Sequence, residues 1–319
     1  MQYAIRHVSH FRYERPISQS VMEVRTCPRT EAHQYCYSFE LNVSPHAQTY
    51  SYVDYDGNTV YHFDVPARHD ELRLESRSLV EVLPLEDLPD RLGDDAWDRL
   101  DVLAQETDAL GMTLPSTFAH PTDGLLALAE ELEIRRRDDP LTLLRETTER
   151  MRDTFTYSRK STHARSPIDE ALSMRQGVCQ DFAHIFVALA RTVGIPCRYV
   201  SGYLFHRTEG DDADRSAEDG SHAWCEALLP DLGWIGFDPT NNLIAQERHV
   251  RVAVGRDYAD VPPSRGVYKG KTRSSLHVGV SVQKARFPNA SEEVMPEMTY
   301  VTQGEDDLPE GAAAQQGQQ

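Results

Sequence analysis

The sequence predicts an α+β protein, with a β-rich first part, a run of helices and a late group of antiparallel strands. Three observations point to it. Apolar and polar residues alternate through Tyr3-Ala4-Ile5-Arg6-His7-Val8-Ser9-His10-Phe11-Arg12-Tyr13, which is the period of a half-buried strand. Val178, Phe182, Ala183, Phe186, Val187 and Ala190 repeat instead at the spacing of one helix face. Ser221 to Leu229 and Trp234 to Asp238 flank the turn Pro230-Asp231-Leu232-Gly233, which reads as a hairpin.

In chain order, alternation recurs at Tyr37 to Val43, and Asp56-Gly57-Asn58 joins residues 51–55 to 59–65 as a second hairpin. A strand from Glu71 to Val82 completes a β-sandwich-like domain over residues 1–84. Its histidines, His7, His10, His33, His46, His62 and His69, match no metal-ligand spacing, and most read as solvated strand residues. Residues 85–120 are acidic and broken by Pro89, Gly93, Gly111 and Pro115, so an acidic linker with short helical pieces is expected. Two helices follow, over 124–136 with Leu125, Leu128 and Leu132 on one stripe, and over 141–155 with Leu141, Leu144, Thr148 and Met151. Arg135-Arg136-Arg137 is expected to close the first, where cations suit the helix dipole.

An extended piece at 155–157 and a short helix at 166–172 lead to the helix of Cys179, which Gly194-Ile195-Pro196 ends. Three strands are expected after it, at 197–205, 221–229 and 234–238, with an acidic, mobile loop over 207–220. Residues 276–282 alternate as a late strand, and 303–319 are disordered by composition. The second domain is thus expected over 121–285 and a tail over 286–319.

With 319 residues and 39% hydrophobic content the chain can bury a sizeable core. Thirty-three basic against fifty-one acidic side chains give a net charge of −18, which repels phosphate backbones and anionic membranes. Neither nucleic acid nor a membrane is therefore an expected partner. No segment approaches the ~20 apolar residues that span a bilayer, and residues 1–7 lack the pattern of an export signal, so a cytoplasmic location is expected. The five cysteines are odd in number and include no Cys-x-x-Cys pair, as reduced thiols would be.

Cys179 sits where a loop turns into an apolar helix. Unpaired N–H groups and the helix dipole favour a thiolate there, although a single buried cysteine reads equally as a packing thiol. A cysteine nucleophile needs a base, and the base needs a third group to fix its tautomer. The hairpin supplies both, because its geometry sets His222, at the start of one strand, beside Asp238, at the end of the other. His184 lies about 140° round the helix from Cys179 and cannot face it; His163 and His206, in or beside loops, remain alternatives. Cys225 alternates to the strand face opposite His222 and Cys197 opens a buried strand, so both read as packing thiols.

The order Gly177-Val178-Cys179-Gln180-Asp181-Phe182-Ala183, Gly194-Ile195-Pro196-Cys197-Arg198-Tyr199-Val200-Ser201-Gly202-Tyr203, His222-Ala223-Trp224-Cys225-Glu226 and Gly233-Trp234-Ile235-Gly236-Phe237-Asp238-Pro239-Thr240-Asn241 resembles the bacterial transglutaminase-like proteins. The first eighty or so residues resemble the β-rich region that precedes this core in the same family. Cys197 and Cys225 depart from the pattern, where a small or aliphatic residue is expected. The resemblance implies a papain-like core, its cysteine-bearing helix packed on an antiparallel sheet, with Cys179, His222 and Asp238 as a catalytic triad. It implies that the N–H of Cys179 is one oxyanion donor; Tyr157 is a candidate for the second. Asp181 is expected to be structural and paired with Arg175. No cofactor and no metal are expected. The activity implied is thiol-dependent hydrolysis of peptide or isopeptide amides through an acyl-enzyme on Cys179, with a peptide or protein as substrate. The alternatives are transglutaminase transfer of the acyl group from glutamine to an amine, and a non-catalytic binding module of the same fold. The N-terminal sheet is expected to cover or border the cleft.

Overall fold

The alternation that begins at Tyr3 runs on further than the apolar pattern suggests, since β1 is one strand over Gln2–Ile17. The computed structural model describes residues 1–159, 161–207, 214–215 and 221–286, all within one compact unit, Met1–Arg286. After β1 come β2 (Gln19–Val24), β3 (Gln34–Ser44), β4 (Tyr50–Val53), β5 (Thr59–Val65) and β6 (His69–Val82). The helical stretch holds α1 (Ala96–Leu103), α2 (Thr107–Leu110), α3 (Asp123–Glu131) and α4 (Pro140–Thr154). Next are β7 (Thr156–Tyr157), α5 (Ile168–Met174), β8 (Gln176–Gly177) and α6 (Cys179–Thr192). The chain continues through β9 (Cys197–Leu204), β10 (His222–Leu229), β11 (Gly233–Asp238), β12 (Leu243–Ile244), β13 (His249–Gly255), β14 (Ser264–Lys269) and β15 (Ser274–Lys284).

The first domain is a sandwich of two antiparallel four-stranded sheets, ordered β15-β1-β6-β3 and β14-β2-β5-β4. Tyr13, Ile17, Met22, Val24, Phe63, Val65, Leu72 and Leu74 form its core, contributed by strands of both sheets. The late strand foreseen at 276–282 is here, paired with β1 from Tyr3↔Lys284 to Tyr13↔Ser274. β14 likewise pairs with β2. Alternation identifies a strand but not the edge it joins, so this return of the chain to its first sheet had no local signature.

The second domain packs α6 across the sheet β12-β11-β10-β9-β13. Phe182, Ile185, Phe186 and Leu189 of α6 share a buried cluster with Cys197, Cys225, Ala227, Leu229, Ile235 and Phe237, and Phe186 stacks on Phe237 at 5.7 Å. Each such aromatic contributes about 1.5–3 kcal/mol by leaving water, which holds the helix carrying Cys179 rigidly on the sheet carrying His222. Gly194 ends α6 as foreseen, with φ +83 and an Ile195 N–H to Ala190 carbonyl bond of 3.1 Å. The linker also belongs to this core, since Leu100 of α1 is wholly buried in it.

Arg135-Arg136-Arg137 does not close a helix. α3 stops at Glu131, because Glu133 turns left-handed at φ 52 and the Ile134 N–H bonds the Ala129 carbonyl at 2.8 Å, an ending more often made by glycine. Arg136 instead pairs with Asp101 and lies over Trp97, and Arg137 pairs with Glu146. Most of the acidic loop at 207–220 and the tail over 303–319 lie outside the described residues. Among the described residues no helix is long and apolar enough to cross a membrane.

Gly202 sits opposite His222 in the β9–β10 ladder. A Cβ there would come within 2.2 Å of the Val250 carbonyl oxygen and 2.5 Å of the Trp224 ring. Gly202→Ala should therefore lower stability by at least about 1–3 kcal/mol, the usual cost of overpacking. Urea unfolding measures this, and an unchanged midpoint would contradict the close approach.

Candidate active site

Cys179 opens α6, and the start of that helix is fixed by Asp181. The Asp181 carboxylate accepts the Val178 N–H at 2.8 Å and the Thr162 hydroxyl at 2.5 Å. Burial pushes its pKa up, against the pull of those two donors. The expected ion pair with Arg175 does not form: Arg175 reaches Glu131 at 2.5 Å and lies over the Phe155 ring. Gly177 is required by the same carboxylate, because a Cβ on it would come within 2.8 Å of the Asp181 Cβ. Its φ is not left-handed, so close approach rather than a sharp turn demands the glycine.

The hairpin register, with Cys225 opposite Phe237, brings His222 and Asp238 together. His222 Nε2 donates to Asp238 Oδ2 at 2.8 Å, both side chains being wholly buried. That leaves Nδ1 for the other partner of the ring, and Cys179 lies near enough to His222 to raise its pKa. Trp224 stacks against the imidazole at 6.0 Å. Burial alone would lower the histidine's pKa; the Asp238 charge, its hydrogen bond and the contact with Cys179 outweigh it and raise the value to about 10. At neutral pH the ring is therefore an imidazolium facing the sulfur.

Asp238 Oδ2 also accepts from Asn241 Nδ2 at 2.8 Å and from His249 Nε2 at 3.3 Å. Oδ1 accepts the backbone N–H groups of Thr240 at 3.1 Å and Asn241 at 3.2 Å. Burial opposes the charge, yet the two histidines hold the carboxyl far below the usual range. His249 is neutral, since burial pushes its pKa down more than Asp238 restores it. Its Nδ1 accepts the Gln246 N–H at 3.3 Å, so its proton sits on Nε2, aimed at Asp238. Sequence reasoning passed over both Asn241 and His249. An Asp followed by its own backbone donors two and three residues on is a readable turn signal; His249 arrives from β13 through pairing with β9, which no local pattern announces.

Ligand atoms of His222, Asp238 and His249 lie within 4.8 Å of one another, as a metal site would require. The donor set fits a hydrogen-bonded network better: metal on His249 Nε2 would move the proton to Nδ1 and break the bond from Gln246.

Cys179 and His222 line a cavity of about 330 Å³, whose far wall comes from the first domain through His7 and Ser9 of β1 and Leu276 and Val278 of β15. The N-terminal sheet thus borders the cleft. His7 is buried rather than solvated, bonded to the Tyr203 hydroxyl at 2.9 Å, and burial lowers its pKa to about 4. Tyr157 packs against the second domain's core and does not line this cavity. His184 is stacked on Phe118 and accepts the Tyr258 N–H at 3.2 Å; His163 bonds Ser166 at 2.5 Å. His206 lies edge-on to His222 at 6.1 Å. Cys197 and Cys225 are fully buried, as read.

Residues 127–239 match the transglutaminase-like superfamily, and residues 3–81 match the bacterial transglutaminase-like N-terminal region. An uncharacterized protein of Mycobacterium leprae is 34% identical over 278 residues, 87% of this chain and 97% of that protein. The chain belongs to the transglutaminase-like superfamily. A protein-glutamine gamma-glutamyltransferase of Pseudomonas aeruginosa is 29% identical over 158 residues, 45% of this chain and 23% of that protein. Among solved structures, "a Putative Cysteine Protease from Cytophaga hutchinsonii" superposes with a TM-score of 0.68 at 20% identity, over 90% of this chain and 92% of that one. That superposition establishes the fold, a papain-like transglutaminase core behind a β domain.

The buried histidines make stability depend on pH in two directions. His7, His184 and His206 are held neutral by burial, at about 4, 3 and 4 against an ordinary 6.5. The unfolded chain then binds more protons, so their contribution is lost as pH falls below 6.5. The raised His222 behaves oppositely: its contribution is complete below 6.5 and is lost as pH rises through about 10. The thermal midpoint should therefore peak near pH 6.5 and decline toward 10, and Asp238→Asn should flatten the alkaline decline. A wild-type midpoint constant from 6.5 to 10 would contradict the assignment of His222.

Proposed function

We propose that this chain hydrolyses peptide or isopeptide amide bonds through a thioester on Cys179. The observation that carries this reading is His222, bonded through Nε2 to a buried Asp238 at 2.8 Å while sharing its other side with Cys179 on a cavity wall. Cys179 Sγ attacks the amide carbonyl carbon, and the oxyanion is met by the Cys179 N–H at the open end of α6. His222 gives its Nδ1 proton to the leaving nitrogen as the C–N bond breaks. It then takes a proton from water, whose oxygen attacks the thioester and releases the acid and the thiolate. Asp238 keeps the ring in the tautomer that both steps need.

Acyl transfer to an amine passes through the same thioester, and the name of the Pseudomonas aeruginosa relative keeps that reading in view. Hydrolysis is favoured by the cavity lining, which among the described residues holds Ser9, Ser201, Ser221 and Ser264 but no carboxylate to gather a cationic amine. The intact Cys179, His222 and Asp238 set disfavours a purely binding role. We propose further that the substrates are peptides or proteins and that the reaction is cytoplasmic, a location that free thiols suit.

Cys179→Ala should abolish amide turnover, and Asp238→Asn should slow it by about a hundredfold or more while the fold persists. Intact mass of the quenched protein, with and without a primary amine, reads the acyl-enzyme and its partition. Turnover by the Cys179→Ala variant would refute the reading, and a product carried mainly to the amine would convert it to transfer.

A further inference from the structure

Beside the Cys179 cleft lies a larger cavity of about 600 Å³, and Tyr258 and Ser264 line both. Its walls come from the two domains. Phe11 and Tyr13 of β1 and Tyr268 of β14 face Phe118 and Tyr258, two arginines, Arg165 and Arg265, join the lining, and among the described residues no Asp or Glu does. Both arginines are exposed to solvent, and among the described residues neither enters an ion pair. Elsewhere even surface arginines find acids, as Arg6 does Glu75 and Arg256 does Asp260. In a chain with 51 acidic and 33 basic side chains, Arg165 together with Arg265, whose cross-strand neighbour Glu23 is itself paired to Arg25, makes a local field opposite to the global one. The Arg165 charge also acts on the Tyr258 phenol, opposing the rise that burial causes, so this arginine lies near the residue that the two cavities share.

We propose that this second cavity is the specificity subsite of the Cys179 cleft, and that it takes a peptide segment with an aromatic side chain beside a carboxylate. The proposal rests on the thiol-hydrolase reading for what happens at Cys179, but the recognition is a matter of chemistry in the wall. Aromatic faces stack in offset or edge-on contact with a ring of the substrate. Guanidinium groups grip a carboxylate by paired N–H donors, which an amide of the same shape cannot reproduce. A cavity of this size lies in the range that holds a ligand of several residues, and the common wall at Tyr258 and Ser264 sets such a segment next to the bond presented to Cys179. Selection for acid here works against the net charge of −18, so a preference for it can arise only from the local arginines.

Chloroacetyl peptides test this independently of amide turnover, because alkylation needs only the Cys179 thiolate, which displaces chloride and forms a thioether. Three probes suffice: chloroacetyl-Phe-Glu amide, chloroacetyl-Phe-Gln amide and chloroacetyl-Phe-Gln free acid, each rate divided by that of iodoacetamide. A probe bearing a carboxylate should modify Cys179 about tenfold faster than the neutral one, as two partly exposed charge-assisted contacts would give. Which acid probe gains tells a side-chain carboxylate from a terminal one. In the Arg165→Gln/Arg265→Gln double variant the preference should fall to about one, with the iodoacetamide rate unchanged. Equal rates for acidic and neutral probes in the wild type, or a preference that survives in the double variant, would overturn the proposal. Selective labelling without amide turnover would leave the subsite standing and remove the hydrolase reading; turnover without selectivity would do the reverse.

Discussion

Asp238 is a charge with no contact with solvent, and the architecture around it follows from that fact. An isolated carboxylate cannot remain ionised in such a place, so each of its oxygens has to be satisfied by the fold. Five donors do so, from His222, His249, the side chain of Asn241, and the backbone of Thr240 and Asn241. These donors come from β10, β13 and the turn after β11, which ties the middle and one edge of the sheet to a single atom pair. The ring of His222 is consequently fixed before any substrate arrives, and preorganisation of this kind is what a proton shuttle requires.

A second buried acid joins the domains. Glu226 is wholly buried between Arg198 and Arg251, whose charges outweigh the effect of burial and keep its pKa down. Arg251 continues to Glu31, and Gln34 accepts the Arg251 N–H at 2.8 Å. Asn58 bonds both backbone groups of Val254 at 2.8 Å. The loops of the β domain are thus sewn to β13, the strand that also carries His249. Removing one partner from such a buried set costs about 3–5 kcal/mol, far more than an exposed pair, so the β domain acts as a structural wall of the cleft.

The parts of the site that were legible in the sequence are those set by local geometry. A helix start marks Cys179, and a tight hairpin makes His222 and Asp238 neighbours whatever the remainder of the chain does. What stayed hidden depends on long-range pairing. His7 looked like one of the solvated strand histidines until β15 and the second domain closed over it. His249 gains meaning only through the pairing of β13 with β9. The end of α3 at Glu131 was misplaced for a different reason, because a left-handed Glu133 is a rare choice that composition does not reveal.

The central claim is that a buried, fully bonded Asp238 holds His222 as an imidazolium while His249 stays neutral. Nitrogen-15 histidine spectra followed across pH report charge and tautomer for each ring directly. The account predicts a His222 resonance that remains charged through neutrality and titrates at about 10, beside a His249 that is neutral at pH 7 with its proton on Nε2. A His222 that loses its charge near the ordinary 6.5 would contradict it.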